Sequence, residues 1–219
     1  MDYWEPKTAL MRPIVFLLCV EVALSACDSR EPSLPYYNTP SFDPIFVSGK
    51  EVNEKIPHII KDFSFTDQHG STITHDVIEG KVHVANFIFT SCGSICPKMT
   101  ANMQKVSAAF QNDERVVLLS YSVTPWIDTV EKLHEYAELN GIQNSNWHLL
   151  TGSQSKIYDL ARTSYFAEED LGFTKDSTEF LHTEHFILVD QTRRIRGIYN
   201  GTLQLEINQL IDDIRSIIK

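Results

Sequence analysis

Two cysteines, Cys92 and Cys96, carry the chemistry that this 219-residue chain announces. They stand in the segment Cys92-Gly93-Ser94-Ile95-Cys96-Pro97, after the apolar run 82–89 and ahead of an amphipathic stretch that begins at Lys98. A strand that delivers two thiols to the start of a helix places them where unpaired N–H groups and the positive end of the helix dipole stabilise thiolate. Thiolates so placed hold a soft metal ion, or they exchange electrons by cycling between dithiol and disulfide. Pro97 suits the first helical turn, where no N–H is needed, and stiffens the loop around Cys96. Lys98 reads as a solvated side chain.

The elements that must position these thiols follow from periodicity. Residues 62–67 and 71–76, joined by the turn His69-Gly70, form a hairpin in which Phe63, Phe65 and Ile73 alternate. Residues 81–90 and 116–123 are near-continuous in apolar residues, as strands covered on both faces are. Helices are expected over 96–112, 129–140 (ending at Gly141) and 154–164, with a short strand at 147–150. A strand over 185–190 and its hairpin partner over 193–199 come next, and Ile207, Leu210, Ile211, Ile214 and Ile218 mark a last amphipathic helix. Strands alternating with helices, with a hairpin at each end, predict an α/β domain: a central mixed sheet flanked by helices, in the thioredoxin-like layout, with an N-terminal hairpin.

The first residues bear on the compartment. Met11-Arg12, the apolar run 13–20 and the ending Leu24-Ser25-Ala26-Cys27 make a charged start, a core too short to span a membrane and a small-residue cleavage site, which together read as an export signal. Leu-Ser-Ala-Cys resembles a bacterial lipobox, which makes Cys27 a lipid anchor and places the protein on the periplasmic side of a bacterial membrane. The expected organisation is a signal and lipoprotein segment at 1–27, a Pro, Ser, Asn and Tyr-rich tether at 28–55 and one folded domain at 56–219. Of the four cysteines, Cys19 leaves with the signal and Cys27 is committed, so Cys92 and Cys96 alone are free; two cysteines do not make a disulfide scaffold. The whole chain carries a net charge of −10, and −9 without its first 26 residues, which argues against a nucleic-acid partner.

The run 87–99, Phe-Ile-Phe-Thr-Ser-Cys-Gly-Ser-Ile-Cys-Pro-Lys-Met, resembles the metal-binding loop of the Sco/SenC family. Ser122-Val123-Thr124-Pro125 with Asp128-Thr129, then Trp147 to Gly152, then His182-Thr183-Glu184-His185 running on to Asp190, fall in that family's order, and the similarity covers about residues 56–219. The resemblance implies a membrane-anchored thioredoxin fold that binds copper and assists assembly of the copper centre of cytochrome c oxidase. It also implies the ligand set Cys92, Cys96 and His182, the histidine lying just before the strand that ends in Asp190. Chemistry agrees: paired thiolates favour Cu(I), and an imidazole adds a donor that also suits Cu(II). His185, three residues on, competes for the role. The family often carries Asp where this chain has Thr124, a difference that bears on docking of a partner or electron donor.

The rival reading is a thiol–disulfide oxidoreductase acting on cysteines of a membrane-protein partner, with Cys92 and Cys96 as the catalytic pair. Such enzymes of this fold normally show Cys-x-x-Cys and a proline opening the facing strand, whereas this chain has three residues between its cysteines and His182-Thr183-Glu184 in place of the proline. A peroxidase needs an Arg beside its cysteine, and none lies between Arg30 and Arg115. A structural disulfide closing so small a loop gains little chain entropy, and structural zinc wants four ligands. Met99 and Met103 share a stripe with Val106 and Phe110 and read as core. Asn200-Gly201 reads as a turn dipeptide.

Overall fold

A computed structural model describes Met1, residues 34–167 and residues 183–219. Cys19, Cys27 and His182 lie outside the described residues. Among the described residues no helix is long and apolar enough to cross a membrane.

Among the described residues seven strands form one sheet. They are β1 (Ser64–Asp67), β2 (Thr72–Thr74), β3 (Val82–Ile88), β4 (Val116–Ser122), β5 (Trp147–Thr151), β6 (His185–Val189) and β7 (Ile195–Asn200), in the spatial order β2-β1-β5-β4-β3-β6-β7. β3, β4 and β5 run parallel at the centre, while β1 on one side and β6 and β7 on the other join antiparallel. Every residue of β3 and β4 is buried, as their largely apolar and β-branched composition demands, and the polar Asn86 and Ser120 within them bond to each other at 2.6 Å. Alternate residues serve two cores. Ala85, Phe87, Leu119 and Tyr121 face Ile157 and Ala161 of α4 (Gln154–Thr163) together with Phe63 and Phe65. Val84, Ile88, Val116 and Leu118 face the opposite core, built by α2 (Cys96–Ala109), α3 (Val130–Leu139) and α5 (Gln204–Ile217). Met99 and Met103 are fully buried there, as their stripe predicts. Each large side chain so buried contributes about 1.5–3 kcal/mol, so the second of these cores anchors α2 firmly to the strand that precedes it.

The expected elements are present with small shifts at their ends. β2 stops at Thr74 because the Thr74 hydroxyl accepts from the Asp76 N–H and starts a 3-10 turn, His75–Ile78. β7 begins at Ile195 because Asp190 Oδ1 accepts from the Thr192 and Arg194 N–H groups and Arg193 takes a left-handed φ of 63°, which extends the turn. Residues 34–55, part of the expected tether, are laid on the domain and include a short helix, α1 (Glu51–Lys55). Tyr37 N–H donates to the Ile195 carbonyl at 3.1 Å, and the Arg196 guanidinium stacks 3.8 Å over the Tyr36 ring. Arg196 Nε also binds the Pro35 carbonyl at 3.0 Å, and Arg194 Nε binds that of Ile56 at 2.8 Å. Arg196 on β7 and Arg194 just ahead of it thus hold a segment whose Pro, Ser, Asn and Tyr content suits a tether.

Candidate dithiol metal site

The parallel strands β3 and β4 end side by side, with Ile88 opposite Ser122 and Val123 N–H donating to the Ile88 carbonyl at 2.9 Å. The ends of parallel strands are where open α/β sheets gather their chemistry, because the connections there diverge and leave a crevice. From β3 the chain makes one turn, Cys92 N–H donating to the Phe89 carbonyl at 3.1 Å, and enters α2 at Cys96. The helix start has no side-chain cap, and Pro97 occupies its first turn. The Cys92 sulfur takes over the cap's work by accepting hydrogen bonds from the backbone N–H groups of Cys96, Ser94 and Ile95.

Both thiols are free, Cys92 half-buried and Cys96 buried, and they hydrogen-bond to each other. Their acidities diverge. Burial pushes the Cys92 thiol up, but the three backbone donors and the Cys96 thiol outweigh it, so Cys92 lies below the ordinary cysteine value. Burial pushes the Cys96 thiol up to about 11, and its bond to Cys92 together with the negative charges of Cys92 and Asp128 adds to the rise, against a lowering hydrogen bond from the Phe89 backbone. One sulfur is therefore the ready nucleophile and donor, and the other holds its proton until something replaces it.

Under the loop sits Asp128, whose residue is fully buried. Its carboxylate accepts from the Thr90 hydroxyl at 2.5 Å, the Ser122 hydroxyl at 2.6 Å and the Thr124 hydroxyl at 3.0 Å. Thr90 belongs to the cysteine loop, while Ser122 and Thr124 leave β4, so one carboxylate ties the two strand exits together. Sequence reasoning noted Asp128 without a role; the signal was the row of hydroxyl residues at both strand ends. Thr124 is 1% exposed. The position is thus an internal hydroxyl donor here, while Trp126 and Ile127 on the same turn stand exposed.

The register of β6 fixes where the histidine segment arrives. Ala85 pairs with Ile187 and β6 runs antiparallel to β3, so β6 begins at the end of the sheet from which the cysteine loop leaves. Thr183 there is buried and its hydroxyl accepts from the His185 N–H at 3.2 Å. His185 itself is the first, half-buried residue of β6. His148 is bound to Asp67 at 3.3 Å, away from the dithiol.

A thioredoxin-like sheet that presents a free dithiol at a helix start defines a class of proteins that hold a metal or exchange electrons through sulfur. Within it, the chain belongs to the SCO1/SenC family, whose model matches residues 52–219. A SCO1/SenC family lipoprotein from Bacillus anthracis is 30% identical, with a TM-score of 0.65 over 74% of this chain and 96% of that one. BsSco, described as a member of the Sco family of cytochrome c oxidase assembly proteins with a disulfide switch, is 30% identical with a TM-score of 0.62 over 73% of this chain and 93% of that one. ScoI of Bradyrhizobium japonicum, solved with copper bound, is 25% identical with a TM-score of 0.57 over 73% of this chain and 99% of that one.

Proposed function

We propose that this protein is a copper metallochaperone that binds copper through Cys92, Cys96 and His182 and assists assembly of the copper centre of cytochrome c oxidase, with the copper-centre subunit as its partner. The carrying observation is the pair of free, mutually hydrogen-bonded thiols at the start of α2 in a SCO1/SenC chain. Two soft donors already in contact fit a thiophilic ion, and the helix start offsets their negative charge. The arrival of β6 beside the cysteine loop supports His182, which precedes the buried Thr183, as the third donor. A site made from one loop and one neighbouring segment lets copper leave by ligand exchange. Cys27 is the lipid anchor in this reading, on the periplasmic side of a bacterial membrane, and the B. anthracis lipoprotein supports it.

A second reading, thiol–disulfide exchange with a partner's cysteines, is favoured by one observation, the opposite shifts of Cys92 and Cys96. An acidic, accessible thiol attacks and its buried neighbour resolves, the dithiol giving up two electrons and two protons as the partner's disulfide is reduced.

Titration of the reduced protein with Cu(I) and with Cu(II) tests both. One-to-one binding with a thiolate-to-Cu(II) absorption band, lost in Cys92→Ser and Cys96→Ser and weakened in His182→Ala, is the expected result. A protein that binds no copper yet reduces a test disulfide overturns the first reading in favour of the second.

A further inference from the structure

A second group of metal-ligating side chains lies apart from the dithiol. The β1–β2 turn carries His69, and α3 carries Glu131, His134, Glu135 and Glu138, which the three-and-four spacing places on one stripe of the helix. Turn and helix face each other across an open cleft of about 430 Å3, lined by His69, His134 and both nearer glutamates. The turn is held from below, because Asp67 Oδ1 accepts from the His69 and Ser71 N–H groups at 2.9 Å each. The imidazoles of His69 and His134, on elements distant in the chain, meet edge to face with centroids 6.0 Å apart and planes at 73°. His134 Nε2 lies 3.4 Å from Glu138 Oε1.

We propose that His69, His134 and Glu138 form a second site, for a divalent transition-metal ion of the Cu(II) or Zn(II) type. Two imidazoles that share one ion at about 2.0–2.1 Å place their ring centroids roughly 5–6 Å apart, which is close to the spacing these rings already have. Two nitrogens and a carboxylate, with no sulfur, suit borderline divalent ions and not Cu(I), so the site selects differently from the dithiol. The other acidic groups have other duties. Glu131 accepts from its own N–H and from the Thr129 hydroxyl, Glu135 pairs with Lys132 at 3.2 Å, and Asp67 holds His148. Glu138 is the carboxylate already beside an imidazole. Among the described residues no group of three or more His, Cys, Asp or Glu side chains, these included, is placed to hold a metal ion as it stands. His134 and Glu138 are exposed, so the site closes by rotation of side chains on two fixed elements, and binding is correspondingly exchangeable.

The test uses the full chain carrying Cys92→Ser and Cys96→Ser, titrated by calorimetry with Zn(II) and with Cu(II) in turn. The expected result is one equivalent of either ion bound, with affinity lowered at least tenfold by His69→Ala or by His134→Ala and several-fold by Glu138→Gln. The Cu(II) paramagnetic resonance spectrum should lose one nitrogen coupling with each histidine. Both histidines are exposed, and circular dichroism of each variant, with His69→Gln and His134→Gln as gentler replacements, separates loss of ligand from loss of fold. Absence of a bound equivalent in the double-serine protein, or an equivalent that survives both histidine substitutions unchanged, overturns the proposal.

Discussion

Thr124 Oγ1 donates a hydrogen bond to Asp128 Oδ2 at 3.0 Å, inside the crevice where β3 and β4 end. A carboxylate at position 124 would confront Asp128 at that range and without the proton that Thr124 supplies. Thr124→Asp therefore costs about 2–4 kcal/mol at pH 7, since two buried carboxylates this close cannot both stay charged cheaply. The penalty shrinks as pH falls and the pair takes up a proton. Thr124→Val loses a single hydrogen bond, about 1–2 kcal/mol. Urea unfolding at pH 7 and pH 5 measures both, and a Thr124→Asp protein as stable as wild type at pH 7 would show that position 124 does not depend on its hydroxyl.

The two thiols should react in a fixed order. Cys92 lies below the ordinary cysteine value and Cys96 near 11, so a limiting dose of iodoacetamide at about neutral pH labels Cys92 first. Cys96 becomes comparably reactive only as the pH approaches 11, or once Cys92→Ser removes the neighbouring negative charge and lowers its threshold. Peptide mapping by mass spectrometry across pH 6–11 reads the order directly. Equal labelling of both at pH 7 is incompatible with the hydrogen-bond pattern at the start of α2.

How much of this was legible in the chain depends on whether neighbours in space were neighbours in sequence. β3, α2 and β4 declared themselves because a fully buried strand and an amphipathic helix leave periodic signatures. The cysteine loop did so because a helix start is a local event. Asp128 could be seen but not understood, since its partners Thr90, Ser122 and Thr124 converge only when two parallel strands end together. The docking of residues 34–55 was hidden for the same reason: its partners Arg194 and Arg196 come about 140 to 160 residues later. His83, one of several scattered histidines in the sequence, proved to be a fully buried residue of β3.

That burial has a pH consequence. His83 is held far down, at about 3 against the usual 6.5, mainly because the interior disfavours its charged form and secondarily because of the Arg193 charge. Between pH 6.5 and about 3 the unfolded chain carries a proton on this residue that the folded chain lacks, so stability falls as pH falls through that window. The slope approaches ~1.4 kcal/mol per pH unit, on the order of a few kcal/mol in total. His83 Nε2 shares a hydrogen bond with Tyr165 Oη at 3.1 Å, and Tyr165 has a second partner in Tyr121 at 3.2 Å, so His83→Phe leaves the tyrosine paired. Chemical denaturation at pH 7.5 and pH 4.5 should show a smaller acid loss in His83→Phe than in wild type. Identical losses would place the acid sensitivity elsewhere.

Gly201 links the dithiol helix to the segment that precedes β6. Its N–H donates to the Glu184 carbonyl at 2.7 Å, and its own carbonyl accepts from Asn102 Nδ2, on α2, at 2.8 Å. A Cβ at this position would lie 2.5 Å from Phe186 Cε1 and 2.9 Å from the Glu184 carbonyl oxygen. Phe186 is fully buried, so the ring has nowhere to withdraw, and the backbone at Glu184 must give way. Gly201→Ala should cost about 1–3 kcal/mol, the usual range for overpacking a tight interior. Glu184 lies two residues after His182, the proposed third ligand, in the sequence. Copper affinity should therefore fall in Gly201→Ala by more than in a control of similar stability loss on the far core, such as Ile157→Val. Competition against a chelator decides the point: parallel losses of affinity in the two variants would mean that Gly201 matters for packing alone and that the segment before β6 does not set the copper site.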